Sequence, residues 1–104
     1  MEKTNNNLLN YKSNSFKNNF KTLKNHINRI NHLSKLNDGR LISCGDDGLL
    51  NIYKKDSYEL QLSIKEHSDG IRIFTQLNDG RIITCSYDKT MKIIKLIGED
   101  KYQI

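Results

Sequence analysis

Leu36 to Lys54 reads LNDGRLISCGDDGLLNIYK, and the same pattern returns 41 positions later at Leu77 to Lys95 as LNDGRIITCSYDKTMKIIK. Ten of the nineteen positions are identical, no gap is needed, and Leu41/Ile82 and Ser43/Thr84 differ conservatively. Self-similarity at a period of about 40 residues marks a repeat architecture, in which neighbouring units stack to bury a shared core.

Each copy divides into short strands separated by turns. Asn37-Asp38-Gly39 and Asn78-Asp79-Gly80 supply the positive φ of a tight hairpin turn, because glycine has no Cβ to clash there. Ile30 to Leu36 and Ile71 to Leu77 precede these turns. In the second copy, alternation places Ile71, Ile73, Thr75 and Leu77 on one face and Phe74 on the other. Arg40 to Cys44 and Arg81 to Cys85 follow as short β-branched runs. A second turn, Gly45 to Gly48 and Ser86 to Lys89, leads into the apolar runs Leu49 to Lys54 and Met91 to Leu96. In Leu60 to Ile64, Leu60, Leu62 and Ile64 alternate with polar residues, the period of a half-buried strand. Its earlier copy, residues 19–24, has Lys21 where Leu62 stands, and is also expected to be a strand. Each unit is therefore three strands and a more polar outer strand.

Outside this body, Met1 to Asn18 is rich in Asn, Lys and Ser and reads as a flexible tail of low hydrophobicity. Phe16, Phe20 and Leu23, at i, i+4 and i+7, make a short amphipathic helix the competing reading. The net charge of +5 is concentrated there: residues 1–24 sum to +4 and residues 25–104 to +1. A nearly neutral body argues against a nucleic-acid role for the repeats, since phosphate-binding surfaces need clustered charge. The tail leaves a second possibility, an RNA or anionic-surface contact with Tyr11, Phe16 and Phe20 as stacking groups. No run of about 18 apolar residues exists to span a membrane. The N-terminal stretch lacks the apolar core of a secretory signal. The expectation is a cytoplasmic location, to which the equivalent cysteines Cys44 and Cys85 lend weak support.

Ser86-Tyr87-Asp88-Lys89-Thr90-Met91-Lys92-Ile93 resembles the Ser-x-Asp-x-Thr-Ile-Lys-Ile stretch of the WD-repeat family of β-propellers. Asn78-Asp79-Gly80 is similar to that family's first turn, and His26 and His67 fall where it has the His of its Gly-His pair. The resemblance covers about residues 17 to 96, with repeats at about 17–54 and 58–95. It implies an all-β fold: two antiparallel four-stranded propeller blades, an incomplete propeller, after a flexible N-terminal tail (1–18). In the family's offset between repeat and blade, residues 19–24 are the outer strand of a preceding blade. Residues 30–64 make one whole blade, and residues 71–96 three strands of another, with Tyr102-Gln103-Ile104 beginning its fourth.

This sequence departs from the family at Asn25 and Glu66, which replace the Gly of Gly-His. It departs again at Tyr53-Lys54 and Ile94-Lys95, which replace the closing Trp-Asp. The family's structural network of His, strand Ser/Thr, turn Asp and Trp carries over to His26, Ser43, Asp47 and Tyr53 in the first repeat. In the second it carries over to His67, Thr84 and Asp88, and Ile94 has no group to donate. Losing one partner from such a network costs about 1–3 kcal/mol.

Other chemistries fit less well. Cys44, Cys85, His26 and His67 lack the close pairs of a zinc site. A Cys85–His67 nucleophile and base is duplicated by Cys44 and His26, which a structural role explains and a catalytic dyad does not. Asp46-Asp47-Gly48 lacks the later ligands of a calcium loop. His32, with Ile73 as its counterpart, reads as a packed strand residue. No Gly-rich phosphate loop is present. The expectation is no enzyme activity, no metal and no cofactor.

The function implied by the resemblance is a protein-interaction scaffold with partners unnamed by the sequence. Two blades leave large apolar faces, and propellers close with about four to eight. The chain is therefore expected to be part of a longer propeller, or to close with copies of itself or another chain. The contact surface is expected where the outer-to-inner loop and the second-to-third turn open together. Arg29, Asn31 and Asp46 lie there in the first repeat, and Gly70, Arg72 and Tyr87 in the second. Asp46 against Tyr87 and Arg29 against Gly70 are among the least matched positions, and Tyr and Arg are favoured interface anchors.

Overall fold

A computed structural model describes residues 20–104. The expected tail, residues 1–18, and most of the alternative helix through Phe16 lie outside the described residues. Within them the chain is all-β, with two four-stranded antiparallel sheets.

The first sheet, blade 1, contains β1 (Ile30–Lys35), β2 (Leu41–Gly45), β3 (Leu50–Tyr53) and β4 (Leu60–Ile64) in sequential order. The second, blade 2, contains β5 (Ile71–Gln76), β6 (Ile82–Ser86), β7 (Met91–Ile97) and β8 (Lys101–Gln103). The Asn-Asp-Gly turns form as their chemistry requires. Gly39 and Gly80 have φ of 97° and 95°. Their N–H groups donate to the carbonyls of Leu36 and Leu77, both at 2.9 Å. At the second turn Gly48 has φ of 79°, and its counterpart Lys89 is held at 75°, a conformation that a side chain makes costly.

The two blades pack face to face. Ile42, Cys44, Leu50, Ile52 and Ile64 of blade 1 share one buried cluster with Ile71, Phe74, Ile82 and Ile94 of blade 2. The ring of His32 meets that of Phe74 edge-on, with centroids 4.5 Å apart. Each fully buried aliphatic side chain in this layer contributes on the order of 1.5–3 kcal/mol.

Two expectations are corrected. Phe20 to Lys24 form no strand, because a strand needs a neighbouring edge to bond to and no described residue provides a preceding sheet. The simple alternation in β5 also fails. Ile71 and Phe74 are both buried while Ile73 is exposed. The register shifts between Ile71 and Ile73, so Arg72 is an extra residue, and an equivalent shift between Ile30 and His32 makes Asn31 extra in β1. A bulge moves every later side chain to the opposite face.

Candidate functional site

Asp47 sits in the turn after β2. Its carboxylate accepts the N–H groups of Ile27 (2.9 Å) and Leu49 (3.1 Å) and faces Nδ1 of His26 at 2.9 Å. A carboxylate only accepts, so Nδ1 carries a proton, and in the neutral imidazole Nε2 is then the acceptor. The Ser43 hydroxyl lies 2.7 Å from Nε2 and donates to it. Its single proton is then used, so the Tyr53 hydroxyl, 3.3 Å away, donates to Ser43. The donors thus run one way, from Tyr53 through Ser43 and His26 to Asp47. Burial alone would raise the Asp47 carboxyl; the two main-chain N–H groups and the imidazole outweigh it and hold it below the ordinary carboxylate range.

Blade 2 repeats the arrangement with different partners. His67 Nδ1 lies 2.9 Å from Asp88 and Nε2 lies 2.6 Å from the Thr84 hydroxyl. Ile94 stands at the place of Tyr53 and is buried in the core. Thr90, at the position of Leu49, adds a donor instead. Its hydroxyl donates to Asp88 at 2.6 Å and its N–H at 2.9 Å, while Ser68 N–H donates at 3.1 Å. The Thr90 hydroxyl is the largest influence on the Asp88 carboxyl, and with His67 and the two N–H groups it drives the carboxyl far below its usual range against the opposing effect of burial. The available signal for Thr90 was its place two residues after the turn Asp, where a hydroxyl reaches back to the carboxylate.

The loops beside these networks meet at one end of the molecule. Asp46 N–H donates to the Arg29 carbonyl at 2.8 Å, and Tyr87 N–H donates to the Gly70 carbonyl at 3.0 Å. Asn31, on its bulge, donates from Nδ2 to Asp46 (2.7 Å) and across the blade boundary to the Ile71 carbonyl (2.9 Å). Arg29 Nε stands 3.8 Å from Asp46 with its side chain largely in solvent. Gly70 closes the two loops together: a Cβ there would lie 2.8 Å from the Asp46 Cα. Arg29, Arg72 and Tyr87 are exposed on this end. Sequence reasoning gave no sign that Asn31 bridges the blades, because the partner is a main-chain oxygen 40 residues away.

At the opposite end, beside the Asn-Asp-Gly turns, a polar cleft is lined by Arg40, Arg81 and Lys95 with Asp38 and Asp79. Its arginines are paired within their own turns, Arg40 with Asp38 and Arg81 with Asp79, both at 2.8 Å. The Cys44 thiol is buried, which together with nearby Asp47 pushes it up to about 12, far from a thiolate nucleophile. Among the described residues no three His, Cys, Asp or Glu gather as a metal site, and no helix is long and apolar enough to cross a membrane.

No curated protein and no solved structure matches the chain. The profile of the WD40 family (WD domain, G-beta repeat) matches residues 17–54 and 58–95. Those two segments carry both hydrogen-bonded networks and run through the first three strands of each blade, and the chain belongs to the WD40 repeat family.

Proposed function

We propose that this blade pair is a non-catalytic scaffold that binds a protein partner at the loop end, in the cytoplasm, as part of a larger set of blades. WD40 repeats generally mediate protein–protein interaction. The observation that carries the reading is the joined loop surface, where Gly70 packs on Asp46 and leaves the side chains of Arg29, Arg72 and Tyr87 exposed. Arg and Tyr bury area while still offering donors, which suits them as anchors. The network residues His26, Ser43, Asp47, Tyr53, His67, Thr84 and Asp88 stiffen the turns that present this surface and make no partner contact themselves. Asn31 and Asp46 form its floor, since their polar atoms already bond one another. Further blades, in the same polypeptide or another, would cover the remaining sheet faces.

Removing residues 1–18 tests this reading. Partners recovered by the intact chain should still be recovered. If all binding disappears with the tail, and binding beforehand falls steeply with salt, the tail rather than the loop end is the contact, acting on RNA or an anionic surface.

A further inference from the structure

Positions 41 apart occupy the same place in each blade, so the two faces of the blades can be compared residue by residue. Ile42, Cys44, Leu50 and Ile52 of blade 1 are fully buried in the layer between the blades. Their counterparts on blade 2 are Ile83, Cys85, Met91 and Ile93. Met91 is 71% exposed and Ile93 47% exposed, while Ile83 and Cys85 are half-buried. The other side of the same layer is made by Ile71, Phe74, Ile82 and Ile94, all buried. Their counterparts on blade 1 are Ile30 and Leu33, which are 53% and 59% exposed, Leu41, which is half-buried, and Tyr53, which is buried with its hydroxyl in the His26 network. Among the described residues the molecule thus holds one complete interface, a largely open half on the outer face of blade 2 and a partly open half, at Ile30 and Leu33, on the outer face of blade 1.

We propose that copies of this chain join head to tail, with the Ile83–Cys85–Met91–Ile93 face of one copy covering the Ile30–Leu33 face of the next. This builds on the reading that the two blades need further blades, and is independent of partner docking at the loop end. A second copy is the occupant because the exposed apolar side chains of each outer face, Met91 and Ile93 on one and Ile30 and Leu33 on the other, stand at the positions that meet in the interface already formed within the chain. Leu33 for Phe74 and Met91 for Leu50 are changes of apolar shape, which packed layers accommodate. Two blade 2 faces pressed together would instead meet without the Ile71 and Phe74 side. The contact is heterologous, so it generates a ring if the rotation closes. With two blades per copy and closure at about four to eight blades, the ring holds about two to four copies.

Native mass spectrometry and sedimentation of the chain test this at concentrations from about 1 to 100 µM, the range of ordinary protein affinities. The expected result is a closed species at a small multiple of 12.1 kDa. Ile93→Glu and Leu33→Glu each break one half of the contact and should each give single copies. Mixed in equal amounts they should form a one-to-one pair, because each supplies the half the other lacks. Met91→Lys and Ile30→Lys repeat the experiment if either glutamate variant loses its strand circular dichroism. A single 12.1 kDa mass throughout the range overturns the proposal. So does an oligomer that neither variant dissociates, or an equal mixture that forms no pair. None of these outcomes bears on docking at the loop end.

Discussion

The side-chain amide of Asn31 donates to the main-chain oxygen of Ile71 at 2.9 Å, tying the bulge of β1 to the first residue of β5. The same oxygen receives the Cys44 thiol at 3.6 Å. The carbonyl of the buried Ile71 is thereby satisfied from the neighbouring blade, and the apolar layer is held in one register. Asn31→Ala removes the stronger donor and should cost about 1 kcal/mol in urea unfolding. Asn31→Asp should cost more, about 2–3 kcal/mol, because it also sets a carboxylate against Asp46 and the Ile71 oxygen.

Acid should loosen blade 1 through Asp47. Its carboxyl is held below the ordinary carboxylate range in the folded chain, despite burial, by the N–H groups of Leu49 and Ile27 and by His26. A carboxyl depressed by folding contributes stability that is complete above its unfolded value and is lost as pH falls through its folded value. Unfolding free energy should therefore decline as pH drops below about 4. Asp47→Asn should be less stable at neutral pH and should show a shallower decline in the same acid range. Equal slopes in chemical unfolding of the two proteins at a series of pH values would remove Asp47 from this role.

Gly48 and Lys89 are equivalent turn positions with φ of 79° and 75°, so they make a matched pair of substitutions. Gly48→Ala adds a Cβ 3.3 Å from the Asp69 carbonyl oxygen and adds left-handed strain, with an expected cost of about 1–2 kcal/mol. Lys89→Gly relieves that strain but loosens the unfolded chain, so a gain of under about 1 kcal/mol is expected. Thermal melts of the two variants should shift in opposite directions.

The repeat made most of this fold legible. Turn positions, strand boundaries and the family followed from Leu36 to Lys54 and its copy, because Asp-Gly turns and strand alternation are local properties of the chain. Properties that depend on a neighbour were not legible. Residues 20–24 have strand-like kin at Leu60 to Ile64 but no described sheet to pair with. Arg72 and Asn31 became bulges through pairing with β6 and β2, which reversed the faces of Ile73 and Phe74. Within the network, His67, Thr84 and Asp88 followed from the resemblance to the WD-repeat family. Thr90 could not be expected from the first repeat, where Leu49 stands.

Alanine substitution at Arg72 and Tyr87, with partner affinity and melting temperature measured on the same protein, tests the loop-end surface most directly. Both side chains are exposed, so the melt should hardly move. Affinity for a partner recovered by pull-down should fall by about 1–2 kcal/mol, roughly five- to thirtyfold in the dissociation constant. Unchanged affinity for every recovered partner would contradict the assignment of this surface.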